Sequence, residues 1–407
     1  MVHSKPKLLV TASTFPRVQG NTDPRFVYDM AMHMSKHFDI SVLAPATPGI
    51  PLSQKMESDV GELDVIRYRY APFRFVETLT NNGAIIPSIH EKPIRALLVP
   101  FMLIGLFFAV RKQLKLKHYD CVHAHWYIPQ GAIQSFFSGT KHPPFVVTGL
   151  GGDVWGLNNK LCAYLKRRTL KKAAAATALS EEMGEKLRIY YRDAEIHIAR
   201  LGCDTSKFSP KKRVNDYYVT HHGLKGIIIL FVGRLAEKKG VEYLIRAMNH
   251  ERIRPTDAKL VIVGDGPLRN DLESLTNRLK VCDKVKFLGA VNHDMLGEIE
   301  ASADIFCSPS IVAQNGDREG FLVANIEASA SGLPIVTTTT TMSCQHNHTG
   351  IIIDEKDIEQ LANALLSLIS NSGERRRLGA NGVEWARQLN WDSVAESYVR
   401  IIRESMK

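Results

Sequence analysis

Two glutamates in the second half of the sequence have a spacing that could serve binding or catalysis. Glu319 and Glu327 lie in the segment DREGFLVANIEASASGLPIVTTTTT, with Gly320 directly after the first of them. The run LVANIEASA predicts a helix, so the amides of Gly320, Phe321 and Leu322 would be unpaired at its positive end. Such a helix end suits an anion, most often a phosphate.

The two acids suit a different part of the same ligand. Carboxylates repel phosphate, but they accept hydrogen bonds from the hydroxyls of a ribose or a sugar. A phosphate at the helix end, beside two such acceptors, therefore indicates a sugar nucleotide. The alternative is a surface helix with two solvated acids, and the spacing by itself does not decide between them.

Two further segments offer groups for a diphosphate. The segment FVGRLAEKKG ends a predicted strand and places Arg234 and Lys239 on the loop that follows. Arginine binds phosphate by paired hydrogen bonds and lysine as a point charge, and both would stabilise a departing diphosphate. The segment VIVGDGPLR ends another strand with Gly264 and Gly266, which would let a ligand approach the backbone. An ordinary turn would use the same glycines.

Alternating strands and helices must position these groups. Apolar strands such as LLVTAS and CVHAHW alternate with helical patterns, and a second series, from GIIILFVG to GIIID, follows the turn-rich LGCDTSKFSP. The alternation predicts an α/β protein with two Rossmann-like domains. We place them in residues 1–210 and 211–390, with an amphipathic final helix in 391–407 packing back on the first. Ligands bind at the carboxyl ends of such strands, so a cleft between the domains is the expected site.

The composition is that of a soluble globular protein, with 44% hydrophobic and 23% charged residues. The six cysteines have no paired spacing, so neither a disulfide framework nor a zinc site is indicated. A reducing compartment fits this pattern best. The first residues, MVHSKPK, lead into an apolar strand without the features of a signal peptide. We therefore expect a cytoplasmic protein.

The net charge of +10 is concentrated in the first half of the chain. Residues 1–205 contain 26 Lys and Arg against 17 Asp and Glu, which gives +9. No nucleic-acid-binding module accompanies this charge, so we expect an anionic membrane surface as partner, with a solvated basic helix face as the alternative. The uncharged run at 96–110 is shorter than the roughly 20 residues that span a bilayer. It indicates either a core helix or a helix lying against a membrane.

Several motifs together resemble one large family. They are TFPRVQGNTDPRFV, DCVHAHWYIPQG, TGLGGDVWG, LGCDTSKFSP, VGRLAEKKG, VGDGP, ADIFCSPS and the two-glutamate stretch with ASGLPIV. Over nearly its whole length the sequence resembles the retaining glycosyltransferases of group 1, or family 4, with the GT-B fold. This family includes bacterial and archaeal mannosyl-, glucosyl- and N-acetylglucosaminyltransferases. No single motif is specific, but the set is.

The resemblance implies roles for the charged residues named above. Arg234 and Lys239 match the family's phosphate-binding pair. Glu319 matches the acid that holds the donor sugar's hydroxyls, and Glu327 the acid that binds the nucleotide ribose. The resemblance also implies donor contacts from a set of positions near the main chain: Gly20, Gly264, Gly266, Gly320, Phe321, Leu322 and Val323.

In the first domain the resemblance places Asp153 in the catalytic set and His125 on the acceptor side. Leu150 stands where the family often has a histidine, which leaves Asp153 as the polar candidate of the loop TGLGGDVWG. His123 and His125 lie on one side of a strand, but no third metal ligand is evident, and the family shows this His-x-His without a metal. We expect neither a metal nor another cofactor.

The loop after LPIV is the clearest departure from the family. Relatives usually have two glycines and a glutamate there, whereas this sequence reads TTTTTMSCQHNHTG. Donor contacts that the family makes with this loop must then come from threonine hydroxyls, or the affinity for the donor is reduced.

The predicted function is transfer of a hexose, with retention, from a UDP- or GDP-sugar to a hydroxyl of a glycan, lipid or lipid-linked acceptor. No covalent nucleophile is well placed, which favours same-face displacement with the leaving phosphate accepting the proton. We expect the enzyme in the cytoplasm or at the cytoplasmic membrane face. Two alternatives remain open: a sugar-nucleotide epimerase or hydrolase on the same scaffold, and a non-catalytic carbohydrate-binding protein.

Overall fold

The computed structural model describes residues 5–18, 24–81, 85–314 and 316–407. The chain divides into two compact units. Unit 1 contains residues 1–201 and 391–407, and unit 2 contains residues 202–390.

Strands and helices alternate along most of the chain. The strands are β1 (Lys7–Thr11), β2 (Asp39–Pro45), β3 (Ser53–Glu57), β4 (Glu62–Tyr68), β5 (Cys121–His125), β6 (Phe145–Thr148), β7 (Ala175–Ala178), β8 (Ile196–Ile198), β9 (Ile228–Val232), β10 (Lys259–Val263), β11 (Val285–Gly289), β12 (Ile305–Ser308), β13 (Ile335–Thr338) and β14 (Gly350–Ile353). The α-helices are α1 (Phe26–Met34), α2 (Ile85–Glu91), α3 (Val99–Leu116), α4 (Ala132–Gln134), α5 (Gly152–Trp155), α6 (Lys160–Lys172), α7 (Glu181–Arg188), α8 (Tyr217–His222), α9 (Val241–Met248), α10 (Arg269–Arg278), α11 (His293–Ala301), α12 (Val323–Ala330), α13 (Ile358–Ser370), α14 (Ser372–Arg387) and α15 (Trp391–Ser405).

Unit 1 contains an eight-stranded sheet with the order β3-β4-β2-β1-β5-β6-β7-β8. The strand pairs are parallel, except that β3 runs antiparallel to β4 at one edge. The central strands β1, β5 and β6 are almost entirely buried. This explains why they read as continuous apolar runs rather than as alternating patterns.

The last helix, α15, completes the core of unit 1. It packs against α1 and against the strands β5, β6 and β7. Its apolar residues at helical spacing are buried, as the sequence pattern predicts, and Tyr398 has no exposed surface. The Tyr398 hydroxyl donates a hydrogen bond of 2.9 Å to the carbonyl of Ala199. A helix that follows unit 2 in the sequence therefore belongs to the first unit.

Unit 2 contains a six-stranded sheet with the order β11-β10-β9-β12-β13-β14, in which the strand pairs are parallel. Apolar residues of β9, β10, α9 and α13 form its core. The predicted fold class, α/β with two Rossmann-like sheets, is confirmed. In this sheet the chain leaves β9, β10 and β12 at the same edge, because parallel strands share their carboxyl ends.

The chain passes from unit 1 to unit 2 between residues 201 and 202, earlier than the predicted boundary after residue 210. The segment after this point is held by unit 2. The amide of Cys203 donates to the carbonyl of Leu389 (2.9 Å), and the Lys207 ammonium lies 2.6 Å from the Asp294 carboxylate. The turn-rich composition of this segment marked a linker, but its contacts assign it to the second unit.

The hairpin of β3 and β4 has no counterpart in the sequence prediction. In β3, with the sequence SQKME, the buried residue is Met56, and the remaining side chains are exposed or half-buried. One face of this edge strand is exposed to water, and Met56 is the one strongly apolar residue on the other face. Its pattern therefore carries no strand signal.

Helix α3 lies at the surface of unit 1, so the hypothesis of a core helix is wrong. Its buried residues are Met102, Leu106 and Val110, one face of the helix, while Phe101 and Phe108 are more than half exposed. The helical stretch 93–116 has a mean hydropathy of 2.1, and 17% of its most apolar 18 residues are buried. By length and composition alone it is long and apolar enough to span a membrane. Its buried face packs on unit 1.

Replacing Tyr398 tests the contribution of α15 to unit 1. Tyr398→Ala should lower the free energy of unfolding by about 3–5 kcal/mol because it opens a cavity. Tyr398→Phe should cost about 1 kcal/mol because the Ala199 carbonyl loses its partner. Urea-induced unfolding of the full chain measures both. Arg400→Ala, on the exposed face of the same helix, is the control, and equal stability of the two alanine variants would contradict this packing.

Candidate active site

A cluster of four charged side chains lies beside the carboxyl edge of the sheet in unit 2. Lys238 and Lys239 end a short turn after β9, and both ammonium groups contact Glu319, at 3.3 and 3.2 Å. Lys238 also contacts Asp317, at 3.2 Å. Two positive and two negative charges therefore meet just before the first turn of α12.

The charges of this cluster are mutually dependent. Burial by itself would raise the pKa of Glu319, but the ammonium groups of Lys239 and Lys238 outweigh it and lower that pKa to about 2. Burial opposes the charge of Lys238 as well, and the attraction of Glu319 and Asp317 raises its pKa above the usual value. The shifts of Glu319 and Lys238 both favour their charged forms. A phosphate arriving here would share Lys239 with Glu319.

Arg234 lies on the same loop, two residues after the end of β9, and is half-buried. The loop is fixed by main-chain hydrogen bonds, in which Gly233 donates to Val263 (2.9 Å) and Leu235 donates to Asp265 (2.9 Å). The loops after β9 and β10 are thereby joined. This brings two of the three predicted ligand-binding segments together.

Gly264 and Gly266 are required by this contact between loops. A Cβ atom at Gly264, whose φ is +129°, would lie 1.9 Å from the carbonyl oxygen of Gly233. One at Gly266 would lie 2.4 Å from the carbonyl oxygen of Leu235. The space predicted to admit a ligand is filled by the neighbouring loop, so the two glycines act by letting the loops approach.

The amino end of α12 presents three main-chain amides, but they are not the same three that the sequence predicts. The amide of Leu322 donates to the Ser343 hydroxyl (3.2 Å), so the prediction that it is unpaired is wrong. Within the residues that the structure describes, no hydrogen bond is found for the amides of Gly320, Phe321 and Val323. These three amides and the helix dipole are suited to an anion.

Glu327 lies on the following turn of α12 and is nearly buried. Its carboxylate contacts the Nε2 atom of His293 at 3.2 Å, and the Nδ1 atom of His293 lies 2.9 Å from the Lys207 ammonium. Beneath it, Glu300 is completely buried, and burial together with the charge of Glu327 raises the pKa of Glu300 well above its usual range. Burial therefore favours the neutral form of Glu300.

The threonine run after β13 is part of the interior of unit 2. Thr337 donates to the Ser308 carbonyl (2.9 Å), while Thr338 and Thr340 donate to the Ser310 carbonyl, at 2.5 and 3.1 Å. All three are buried, whereas Thr339 is exposed. The hydrogens of the three buried hydroxyls are used within the protein, and the expectation that threonine hydroxyls replace donor contacts stays a prediction.

Asp153, predicted as catalytic, organises its own loop in unit 1. Its carboxylate accepts hydrogen bonds from the amides of Tyr127 (2.7 Å), Leu150 (3.1 Å) and Gly151 (3.1 Å). Only 3% of its surface is exposed, and burial raises its pKa from the ordinary value. These contacts give Asp153 a role in holding the loop 149–153 in place.

His125, predicted on the acceptor side, has no exposed surface. Its ring lies 4.2 Å from that of His123, and burial lowers the pKa of both, so they are neutral at pH 7. His123 in turn contacts the Thr148 hydroxyl at 2.7 Å. Gly20, the remaining predicted residue of this unit, lies outside the described residues.

Four residues of the site were missed by sequence reasoning: Lys207, Lys238, His293 and Glu300. Lys238 adjoins Lys239 in the sequence, and a turn places both beside Glu319. The other three carry no local signal, because the contacts of His293 join positions 34 and 86 residues away. Only the tertiary structure brings them to Glu327.

Two family models match separate parts of the chain. A model of "Glycosyl transferases group 1" matches residues 219–385, and a model of "Glycosyltransferase Family 4" matches residues 24–207. The first covers the loops of unit 2 described above. The second covers most of unit 1.

Curated relatives share part of this sequence. A GDP-mannose-dependent alpha-(1-6)-phosphatidylinositol monomannoside mannosyltransferase of Mycobacterium tuberculosis is 32% identical over 208 residues, 50% of this chain and 54% of that protein. An uncharacterized glycosyltransferase of Methanocaldococcus jannaschii is 35% identical over 184 residues, 44% of this chain and 45% of that protein. The matches span about half the length of these relatives.

Solved structures show the same fold over the whole chain. Sucrose-phosphate synthase from Thermosynechococcus elongatus has a TM-score of 0.77 at 19% identity, covering 98% of this chain and 99% of that one. The Anabaena HepE protein in complex with UDP-glucose has a TM-score of 0.70 at 17% identity, covering 98% and 99%. At these identities the likeness establishes the fold, which is that of the GT-B proteins.

The pKa of Glu319 predicts how the charged cluster stabilises unit 2. This pKa falls from 4.5 to about 2 on folding, so the stabilisation is present above about pH 4.5 and disappears as the pH falls towards 2. Glu319→Gln should therefore be less stable than the wild type at pH 7, and the difference should shrink at pH 3. Urea unfolding at both pH values measures it.

The control for this experiment is Glu242→Gln, which removes an exposed acid paired with Arg246 on α9. It should change stability little at either pH, because exposed ion pairs contribute about 0–1 kcal/mol. A stability difference between Glu319→Gln and wild type that stays constant from pH 3 to pH 7 would contradict the assignment.

Proposed function

This chain belongs to the group 1 glycosyltransferases, and we propose that it transfers a hexose from a nucleoside diphosphate sugar to a hydroxyl of a glycan, lipid or lipid-linked acceptor. The observation that carries the proposal is the contact of Lys238 and Lys239 with Glu319 beside the amino end of α12. It joins cations for a diphosphate to an acceptor for sugar hydroxyls. Three amides of the helix end complete the anion site.

The donor would bind along the carboxyl edge of the unit 2 sheet. Arg234 and Lys239 would hold the diphosphate, with the amides of Gly320 and Phe321 on its other side. Glu319 would accept hydrogen bonds from the sugar hydroxyls. The Leu322 amide would take part after giving up its bond to Ser343.

Glu327 would bind the ribose of the donor, since it lies farther along the same helix. The mannosyltransferase of Mycobacterium tuberculosis is named for GDP-mannose, which makes this sugar nucleotide the first donor to test. A UDP-sugar is the second, because HepE was solved with UDP-glucose.

We propose that the reaction proceeds with retention and without a metal. The charge of the leaving diphosphate would be met by Arg234, Lys239 and the dipole of α12. The leaving phosphate would accept the proton of the acceptor hydroxyl as the new glycosidic bond forms on the same face of the sugar. Asp153 would act in unit 1 by holding its loop, rather than by contact with the reacting atoms.

The acceptor would be bound at a membrane, which an exposed apolar face of unit 1 would contact. Phe101, Ile104 and Phe108 are each more than half exposed on one face of α3. The ring centroids of Phe107 and Phe136 lie 6.3 Å apart. The Arg168 guanidinium carbon lies 4.5 Å from the centroid of the Phe136 ring. The apolar face thus continues into the basic helix α6. An apolar face bordered by cations suits the surface of an anionic membrane, where the enzyme would lie on the cytoplasmic side.

Replacing Arg234 tests the transfer reaction. Arg234→Ala should reduce turnover of the donor by about 10²–10³-fold, because a charge that stabilises the leaving group is lost. Circular dichroism and thermal unfolding should stay close to wild type. Arg246→Ala, which removes an exposed arginine of α9, is the matched control. Wild-type turnover in Arg234→Ala would overturn the donor site.

The same assay, run without an acceptor, separates the alternative reactions. Wild type should release nucleoside diphosphate from GDP-mannose or UDP-glucose slowly until an acceptor is added. Rapid stoichiometric release or epimerisation without an acceptor would identify a hydrolase or epimerase instead. The absence of any nucleotide binding by calorimetry would identify a non-catalytic protein.

Polar substitutions on α3 test the membrane surface. The triple variant Phe101→Ser, Ile104→Ser, Phe108→Ser should reduce cosedimentation with vesicles of anionic phospholipid by about tenfold or more, because each side chain contributes apolar burial. Val219→Ser with Met295→Ser, which changes exposed apolar residues of unit 2, should leave sedimentation unchanged. Equal sedimentation of all three proteins would contradict the proposal.

A further inference from the structure

Glu327 is held in place by side chains from outside its own helix. His293, the first residue of α11, contacts the Glu327 carboxylate with Nε2 at 3.2 Å. The other ring nitrogen, Nδ1, lies 2.9 Å from the Lys207 ammonium. Lys207 also contacts Asp294, at 2.6 Å. A continuous chain of polar contacts therefore runs from Lys207 through His293 to Glu327.

The chemistry of lysine fixes the direction of these hydrogen bonds. An ammonium group has donors and no acceptor, so the Nδ1 atom of His293 must accept from Lys207. In neutral imidazole the proton then resides on Nε2, which donates it to Glu327. Lys207 thus selects the tautomer of His293 that can bond to the carboxylate.

The segment that carries Lys207 is pressed against α11. A Cβ atom at Gly297 would lie 2.3 Å from the Lys207 carbonyl oxygen, so a glycine is needed there. The ring of Phe208 meets the edge of the His293 ring, with centroids 5.5 Å apart and planes at 75°. The Asn292 side chain accepts from the Asp294 amide and caps the helix. His293 is therefore held on its ring edge as well as at both nitrogens.

One oxygen of Glu327 is occupied by His293, which aims the other. Burial and the charge of Glu327 raise the pKa of the buried neighbour Glu300, which favours its neutral form. A carboxylate fixed in this way can accept from two adjacent hydroxyls, as in the diol of a ribose. A freely rotating one would lose side-chain entropy on binding.

We propose that Lys207 and His293 are positioning residues that aim Glu327 at the ribose diol of the donor, so that the site distinguishes ribonucleotides from 2′-deoxyribonucleotides. This inference rests on the proposed function, because Glu327 is assigned there to the ribose. The two residues contact the carboxylate and its partner, and not the ligand.

Calorimetric titration with GDP, UDP and their 2′-deoxy forms tests the inference. Wild type should bind the ribonucleotide of its preferred base about tenfold more tightly than the deoxy form, since one charged hydrogen bond is lost in the latter. His293→Ala and Lys207→Met should weaken binding of the ribonucleotide and leave the deoxy form nearly unchanged, so the ratio should approach one. His293→Gln, which keeps an N–H donor, should restore part of the ratio.

Lys211→Met, an exposed lysine nearby, is the control and should keep the wild-type ratio. A variant in which the affinities for the ribonucleotide and the deoxyribonucleotide fall equally has only a structural defect. That result in both His293→Ala and Lys207→Met would overturn the inference. An unchanged ratio in both would overturn it as well. If wild type binds no nucleoside diphosphate, the proposed function fails first, which distinguishes the two failures.

Discussion

The contact of two lysines with Glu319 is the interaction on which the site of unit 2 depends. A carboxylate with little exposed surface is costly unless cations surround it. Here those cations come from the loop after β9, and the acid from the segment before α12. The ion pairs therefore tie the predicted phosphate-binding loop to the helix end. Electrostatic attraction thus holds the residues of the proposed anion site together without a ligand, so little reorganisation would be needed on binding.

Backbone packing makes this assembly possible. The loops after β9 and β10 can be joined because Gly264 has no side chain to displace the Gly233 carbonyl. After β13, buried threonine hydroxyls donate to the Ser308 and Ser310 carbonyls. These internal hydrogen bonds hold the threonine segment in the interior of unit 2. Main-chain segments thus pack closely in two ways: by the absence of a side chain at Gly264, and by threonine hydrogen bonds after β13.

Much of this fold could be predicted from the sequence. The predictions that failed did so for physical reasons. Buried parallel strands and α9 were found because apolar runs and helical spacing are local signals. The edge strand β3 was missed because Met56 is its one buried residue, whereas β4 has an alternating pattern, ELDVIRY, that sequence reasoning overlooked. Arg234, Lys239, Glu319 and Glu327 were predicted as site residues by motif. Lys207 and His293 have no such signal, because they meet across 86 residues of sequence. Gly264 and Gly266 were noted in the sequence. Their role in letting two loops pack together depends on the tertiary structure and could not be predicted.

The path of the chain has a consequence for synthesis on the ribosome. Unit 2 is continuous in sequence, but the core of unit 1 is closed by α15, which is translated after all of unit 2. As the chain emerges, residues 1–201 must wait with the surface beneath Tyr398 uncovered while unit 2 can already fold. The first unit to be made is thus the last to be finished. During that interval the apolar surface that α15 later buries stays exposed to solvent.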